Sequence, residues 1–346
     1  MTSNAITLIT TGGTIGSTSE EDSVNVSRGE QLLQQHIAEL CERNQLAIKT
    51  RAAFNKNSED LAPADWLTLI NVIADEIAQG SDRIIITHGT DTMAFSAAAL
   101  ALCFGQQAVK IVLTGSCFTL EHPESDVSAN LLGALATAAE SNIANGVYVS
   151  FLNDEKQVQV IDALTVKPMI FDELSFQAQF RESLGVFNQT LTVFTAHSYK
   201  PKALSASINP ADIRLDLLTK AEPSVVQISC YPGMSAVPLC AALAKGCCVI
   251  VNLYHSGTGP STLEKNGLLE AIRSRPDLTF LLAALPSRHI PKPYQATMTL
   301  MKAGARLYQD IQPHILYTLI TLGLASGKDL DDLLTELAPY QQPISA

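Results

Sequence analysis

Positive charge and long apolar runs are both scarce in this 346-residue sequence, and each scarcity excludes something. Lysine and arginine total 23 against 34 aspartates and glutamates, a formal charge of −11. No basic run exceeds a residue or two, which argues against a nucleic-acid partner, because phosphate binding needs a basic face that releases counterions. The longest strongly apolar stretch, Met93 to Phe104, falls short of the roughly 20 residues that cross a bilayer. No Lys or Arg precedes Arg28, so the start lacks the positive flank of a signal peptide. The 7 cysteines include the adjacent pair Cys247-Cys248 but no CxxC and no Cys/His ligand spacing. They read as reduced core thiols, which with the missing leader predicts a cytoplasmic protein.

Apolar residues make up 47% and charged residues 16%, a balance that excludes disorder and supplies large cores. At roughly 150 residues per domain the length predicts about two domains. Short β-branched runs, Ile6–Thr10, Arg83–Thr87, Lys110–Thr114 and Gly146–Phe151, read as parallel strands buried on both faces. Helical patterns at Arg28–Asn44, Ala62–Gln79, Thr92–Phe104 and Ala129–Glu140 alternate with them. That alternation predicts an α/β fold: a larger, doubly wound, mostly parallel sheet in residues 1–195. Residues 196–223, irregular and holding Pro201, Pro210 and Pro223, are expected to link it to a smaller α/β domain over 224–346. There Val225–Cys230, Val249–Tyr254 and Thr279–Ala284 read as strands, with helices at 239–244, 261–274, 314–323 and 330–337. Three or four strands are expected in it.

Ligands of open parallel sheets bind beyond the carboxyl ends of the strands. Three predicted strands end in threonine and run into glycine-bearing loops: Thr10-Thr11-Gly12-Gly13-Thr14-Ile15-Gly16, Thr87-His88-Gly89-Thr90-Asp91-Thr92 and Thr114-Gly115-Ser116. Glycine lets backbone amides approach a ligand closely, so the three loops should meet at one sheet edge and present hydroxyls and N–H groups there. Taken singly, Asp91 reads as a helix N-cap, His88 as a structural histidine and the threonines as local backbone partners. A hydroxyl nucleophile needs a base to take its proton. A lysine kept neutral by its surroundings supplies one, and Lys167, in the uncharged stretch Thr165-Val166-Lys167-Pro168, is the candidate.

The motifs Thr11–Ile15 (TGGTI) and His88–Thr92 (HGTDT) resemble the two signatures of bacterial-type L-asparaginases, the threonine amidohydrolases. The likeness continues through Thr114-Gly115-Ser116, Glu121-His122-Pro123, Ser125-Asp126 and Asn130, and through Ser58-Glu59-Asp60-Leu61 ahead of Pro63 and Trp66. It extends to Lys167, nine residues before Phe176, to Pro232-Gly233 and to Tyr254–Thr258. The resemblance implies a flavodoxin-like larger domain and two-step hydrolysis of L-asparagine to L-aspartate and ammonia. Thr14 would be the nucleophile, and Thr90, Asp91 and Lys167 a second triad. Ser58, Glu59, Gly89, Thr90, Asp91 and Ser116 would line the substrate. It implies no cofactor and no metal, and a cytoplasmic homodimer or homotetramer acting on a small amino-acid amide.

Two departures stand out. Relatives place a tyrosine nine to thirteen residues after the nucleophile, where this chain has Ser23 within the lid-like Ser17–Ser27, and Glu59 stands where many relatives carry a neutral residue. Around Tyr294–Thr299, where a neighbouring subunit completes the site in some relatives, the chain has no acidic residue. The missing tyrosine and Glu59 keep two other readings open: a catalytically weak amino-acid-binding relative, and a glutaminase or other side-chain amidase. A transamidation subunit is expected to carry an added N-terminal module ahead of the first strand, which here begins at Ile6.

Overall fold

The computed structural model describes residues 5–341 except 17, 21–22, 45–46, 171–172, 180–182, 189, 194–206, 222–223, 263–265 and 285–291. For 18–20, 23–30, 41, 43–44, 188 and 190–193 it describes the backbone alone. The chain forms two compact units, Met1–Lys200 and Pro201–Ala346. Of the expected linker 196–223, residues 207–221 are described and the rest lies outside the described residues.

In the first unit the elements run β1 (Ile6–Thr10), β2 (Thr18–Glu20), β3 (Ser23–Asn25), α1 (Val26–Asn44), β4 (Ile48–Ala52), α2 (Pro63–Ala78), β5 (Arg83–Thr87), α3 (Met93–Phe104), β6 (Lys110–Thr114), α4 (Val127–Ala139), β7 (Gly146–Leu152), β8 (Val158–Asp162), β9 (Gly185–Asn188) and β10 (Thr190–Val193). Eight strands form one sheet in the order β10-β9-β8-β7-β6-β5-β1-β4. The five from β4 to β7 are parallel and the last three return antiparallel. The sheet is thus the doubly wound, mostly parallel one that the alternating pattern predicts.

Leu33 and Ile37 of α1 and Leu131, Ala134 and Leu135 of α4 cover one face, against Ile6, Leu8, Ile85 and Val112. Helix α3 is apolar all round and almost wholly buried, as a central helix must be. Its alanines leave room for the close packing of protein interiors. The expected lid within 17–27 carries the β2–β3 hairpin; the side chain of Ser23 lies outside the described residues.

Strand β4 escapes a pattern reading because it is an edge strand whose apolar run is broken by exposed Lys49 and half-buried Arg51. Such charges keep an edge from pairing with another chain. Both are used: Lys49 and Arg51 lie 2.7 and 3.0 Å from the carboxylate of Glu76 on α2, whose side chain is 1% exposed. Burial pushes the Glu76 carboxyl up, but the hydrogen bonds from Lys49 and Arg51 outweigh it and hold it below 4.5.

The second unit contains α5 (Leu215–Ala221), β11 (Val225–Ser229), α6 (Ala236–Ala241), β12 (Cys248–Asn252), α7 (Leu268–Ser274), β13 (Thr279–Ala283), α8 (Gln295–Lys302), β14 (Arg306–Tyr308), α9 (Pro313–Ala325) and α10 (Leu330–Glu336). Its four strands pair in parallel in sequence order, β11-β12-β13-β14. Helix α5 lies inside the stretch read as linker; it buries Leu218 and Ala221 and packs on α9. No helix among the described residues is long and apolar enough to cross a membrane.

Glu76→Gln leaves a buried side chain that no longer balances two cations, and should cost about 1–3 kcal/mol at pH 7 in urea melts. The depressed Glu76 pKa adds stability that is complete above its unfolded value near 4.5 and is lost as the pH falls through the lower folded value. The gap between parent and variant should therefore narrow from pH 7 to pH 3; a gap that stays constant would contradict this assignment.

Candidate active site

The register of the sheet sets Thr10, Thr87 and Thr114 side by side at the carboxyl ends of β1, β5 and β6. The three loops that follow therefore start from one edge. The Thr11 amide and hydroxyl both donate to the Thr87 carbonyl, at 3.2 and 2.8 Å. The His88 amide donates to the Thr114 carbonyl at 2.8 Å. The first loop is tied to the second, and the second to the third, by main-chain carbonyls that the sheet itself leaves over.

Between the first two loops the backbones touch. Gly13 has φ +83°, and a Cβ there would fall 2.6 Å from both Cα and N of Gly89. A Cβ on Gly89 would in turn fall 2.5 Å from the Ser58 hydroxyl. Only glycine fits at either place. Thr14, half-buried, opens a 3-10 turn closed by the Gly16 amide on the Gly13 carbonyl at 3.0 Å, and buried Ile15 anchors that turn in the core beside Leu33.

Ser58 arrives on a fourth segment. After β4 the chain donates from Ala53 to the Thr10 carbonyl (2.9 Å) and from Lys56 to the Thr11 carbonyl (3.1 Å), which lays residues 53–58 against the first loop. The Lys56 ammonium sits 2.6 Å from the Asp65 carboxylate, whose other oxygen accepts the Ala62 amide at 2.9 Å at the start of α2. Ser58 is buried, its hydroxyl donates to Asp91 at 3.3 Å, and its carbonyl accepts the Thr92 hydroxyl at 2.9 Å. Asp91 is therefore not the cap of α3: Thr92 holds that position, without a side-chain bond to the helix. Asp91 and Glu59 are both exposed and Thr90 is half-buried.

The third loop is held from below. Asp126 accepts the amides of Cys117 (3.0 Å) and Phe118 (3.2 Å), and the Asn130 side-chain amide donates to Asp126 and to the Gly115 carbonyl, each at 2.9 Å. The Asn130 carbonyl oxygen accepts the Leu152 amide at 2.7 Å, fastening the end of β7 to the same group. Ser116 is buried and its hydroxyl has no partner among the described residues.

Lys167 follows β8. Its amide donates to the Gln177 carbonyl at 2.8 Å beside the Val166–Ala178 bridge, and the residue is half-buried. Farther along this segment the Leu174 carbonyl accepts the Cys117 thiol at 3.4 Å, and Phe176 meets Phe151 edge-on with centroids 5.1 Å apart. The segment that carries Lys167 thus reaches the third loop. The structure brings the loops of Thr14 and Thr90 together with Ser58 and Asp91, whereas Lys167 makes no direct bond to Thr90 or Asp91. Sequence reasoning passes over Lys56 and Asp65; their spacing, ahead of a Pro-initiated helix, is the available signal.

The whole of this site lies in the first unit, and known proteins match there. Residues 5–198 match the family model described as "Asparaginase, N-terminal". One component of the glutamyl-tRNA(Gln) amidotransferase of Pyrobaculum aerophilum is 26% identical over 97% of this chain and 81% of the relative. An L-asparaginase from Thermococcus kodakarensis is 33% identical over 41% of this chain and 42% of its own length. Two solved structures share the fold at 22% identity: the thermostable L-asparaginase from Thermococcus kodakarensis, with a TM-score of 0.75 over 98% of both chains, and L-asparaginase I from Vibrio cholerae, with 0.74 over 96% of both. Since the matched family segment spans the sheet and every loop at its edge, the chain belongs to the asparaginase family of amidohydrolases.

Proposed function

We propose that the protein hydrolyses the side-chain amide of L-asparagine, with Thr14 as nucleophile. The observation that carries this reading is the Gly13–Gly89 backbone contact, which puts the turn opened by Thr14 against the loop of Thr90 and Asp91. The Thr14 oxygen attacks the amide carbonyl carbon while its proton passes to the base. The C–N bond then breaks and the nitrogen leaves protonated, as ammonia, from a β-aspartyl ester. Water, deprotonated in its turn, attacks the ester carbonyl and restores the threonine.

Lys167, oriented by Asp91 and Thr90 once substrate fills the site, is the proposed base. The Asp91 carboxylate matches the substrate α-ammonium and the Ser58 hydroxyl its α-carboxylate, with Gly89 and Ser116 closing the wall. In chemistry of this kind, backbone N–H groups aimed at the developing oxyanion lower the barrier more than any other single contribution. We also propose a homodimer or homotetramer. Glu59, an uncompensated carboxylate beside Ser58, disfavours a carboxylate-bearing substrate and sets the affinity below that of a neutral residue. The match along nearly the whole chain to an amidotransferase component favours a second reading, in which the isolated chain releases little ammonia without a partner.

Ammonia release from L-asparagine by the purified chain, with L-glutamine slower at equal concentration, is the expected result. Equal or faster release from glutamine would make it a glutaminase, and saturable binding without turnover would make it a binding protein. Thr14→Ala should abolish release while aspartate still binds in calorimetry. Lys167→Met should lower kcat by about 100-fold or more, and an unchanged kcat would remove Lys167 as the base. Ser58→Ala, losing one hydrogen bond to a charged group, should raise KM by about 10-fold with a smaller change in kcat.

A further inference from the structure

Among the buried polar groups beside the site that the proposed chemistry leaves idle is His88. Its side chain is fully buried, its Nδ1 lies 2.7 Å from the carbonyl oxygen of Gly89, and its Nε2 has no partner among the described residues. A carbonyl only accepts, so Nδ1 carries the proton and the ring is the Nδ1–H tautomer. Burial lowers its pKa to about 4, keeping it neutral.

Gly89 has to be glycine, because Gly13 and Ser58 crowd the place of its side chain. Glycine at such a crossing brings unwanted freedom: nothing in its own chemistry fixes the orientation of the peptide that follows it. That peptide joins Gly89 to Thr90. A trans peptide is planar, with its C=O and N–H pointing opposite ways. An imidazole that holds the Gly89 oxygen on the buried side therefore directs the Thr90 N–H to the other side. The Thr90 N–H makes no hydrogen bond among the described residues, so it stands as an unused donor on the loop that faces the turn of Thr14.

We infer that His88 is a positioning residue for the reaction: through its bond to the Gly89 carbonyl it sets the Gly89–Thr90 peptide plane and so aims the Thr90 N–H at the oxyanion of the attacked amide. This rests on the amidohydrolase reading above and adds to it the group that orients its oxyanion donor. Other parts of the loop bear on position but not on this angle: the His88 amide is bonded to the Thr114 carbonyl, and Gly115 packs on the His88 carbonyl.

Two substitutions test it. His88→Leu keeps bulk and burial but removes the donor; His88→Asn returns an N–H donor near the place of Nδ1. Since losing one oxyanion donor costs about 100- to 1,000-fold in kcat, a misdirected one should cost about 10- to 100-fold in His88→Leu with KM within about threefold of the parent, and His88→Asn should recover kcat to within about threefold. The Thr90 amide resonance should move in His88→Leu and return in His88→Asn, which a purely structural histidine would not produce. A His88→Leu kcat within twofold of the parent, or a folded His88→Asn as slow as His88→Leu, would overturn the inference. If His88→Leu does not fold, His88→Asn decides alone: near-parental kcat supports the role and a tenfold loss rejects it. A parent chain that turns over no amide would defeat the proposed function, and the Thr90 resonance in the two variants would still decide the role of His88, a return supporting it and indifference rejecting it.

Discussion

The active-site architecture depends on one close approach, that of the Gly13 and Gly89 backbones. Two loops some 75 positions apart in sequence come within van der Waals contact because neither has a side chain at the crossing. The rest of the site is support for that crossing. The sheet aligns the strand ends, the Thr11 hydroxyl and amide tie the first loop to the Thr87 carbonyl, and Ser58 closes the other side of Gly89. Moving the Gly13 turn by the width of one methyl group would separate the Thr14 and Thr90 loops.

Around the crossing, charge and hydrogen bonding are divided by depth. The layer beneath the loops is neutral or internally bonded: Asp126 and Asn130 are satisfied by backbone amides, a carbonyl and one another, and His88 is uncharged. The mouth is where Asp91 and Glu59 stand exposed. A preorganised floor under a charged rim suits the proposed reaction, in which negative charge would develop deep and the substrate's ammonium group would sit at the rim. Lys56 is neutralised by Asp65, so the mouth stays acidic.

Much of this is legible in the sequence, for identifiable reasons. Strands β1, β5, β6 and β7 are buried on both faces, so their runs of Ile, Val and Leu announce them, and the threonine–glycine endings mark the functional edge. Strand β4 is invisible there because Lys49 and Arg51 interrupt its apolar run and find their partner, Glu76, on another element. β9, β10 and β14 are short, and α5 sits in a stretch whose prolines read as a linker. The convergence of the three loops can be anticipated, whereas the crossing at Gly13 and Gly89 cannot, since no pattern in either motif states which atoms touch. Likewise His88 reads as an ordinary structural histidine, because the meaning of its bond lies in the direction of the following peptide.

A crystal structure with L-aspartate bound tests the central claim most directly. The expected result is one ligand seated between the two glycine loops, its ammonium on Asp91, its α-carboxylate on Ser58, and its side-chain carboxylate between the Thr14 hydroxyl and the Thr90 N–H. A ligand bound elsewhere, or a Thr14 hydroxyl turned away from that carboxylate, would contradict it.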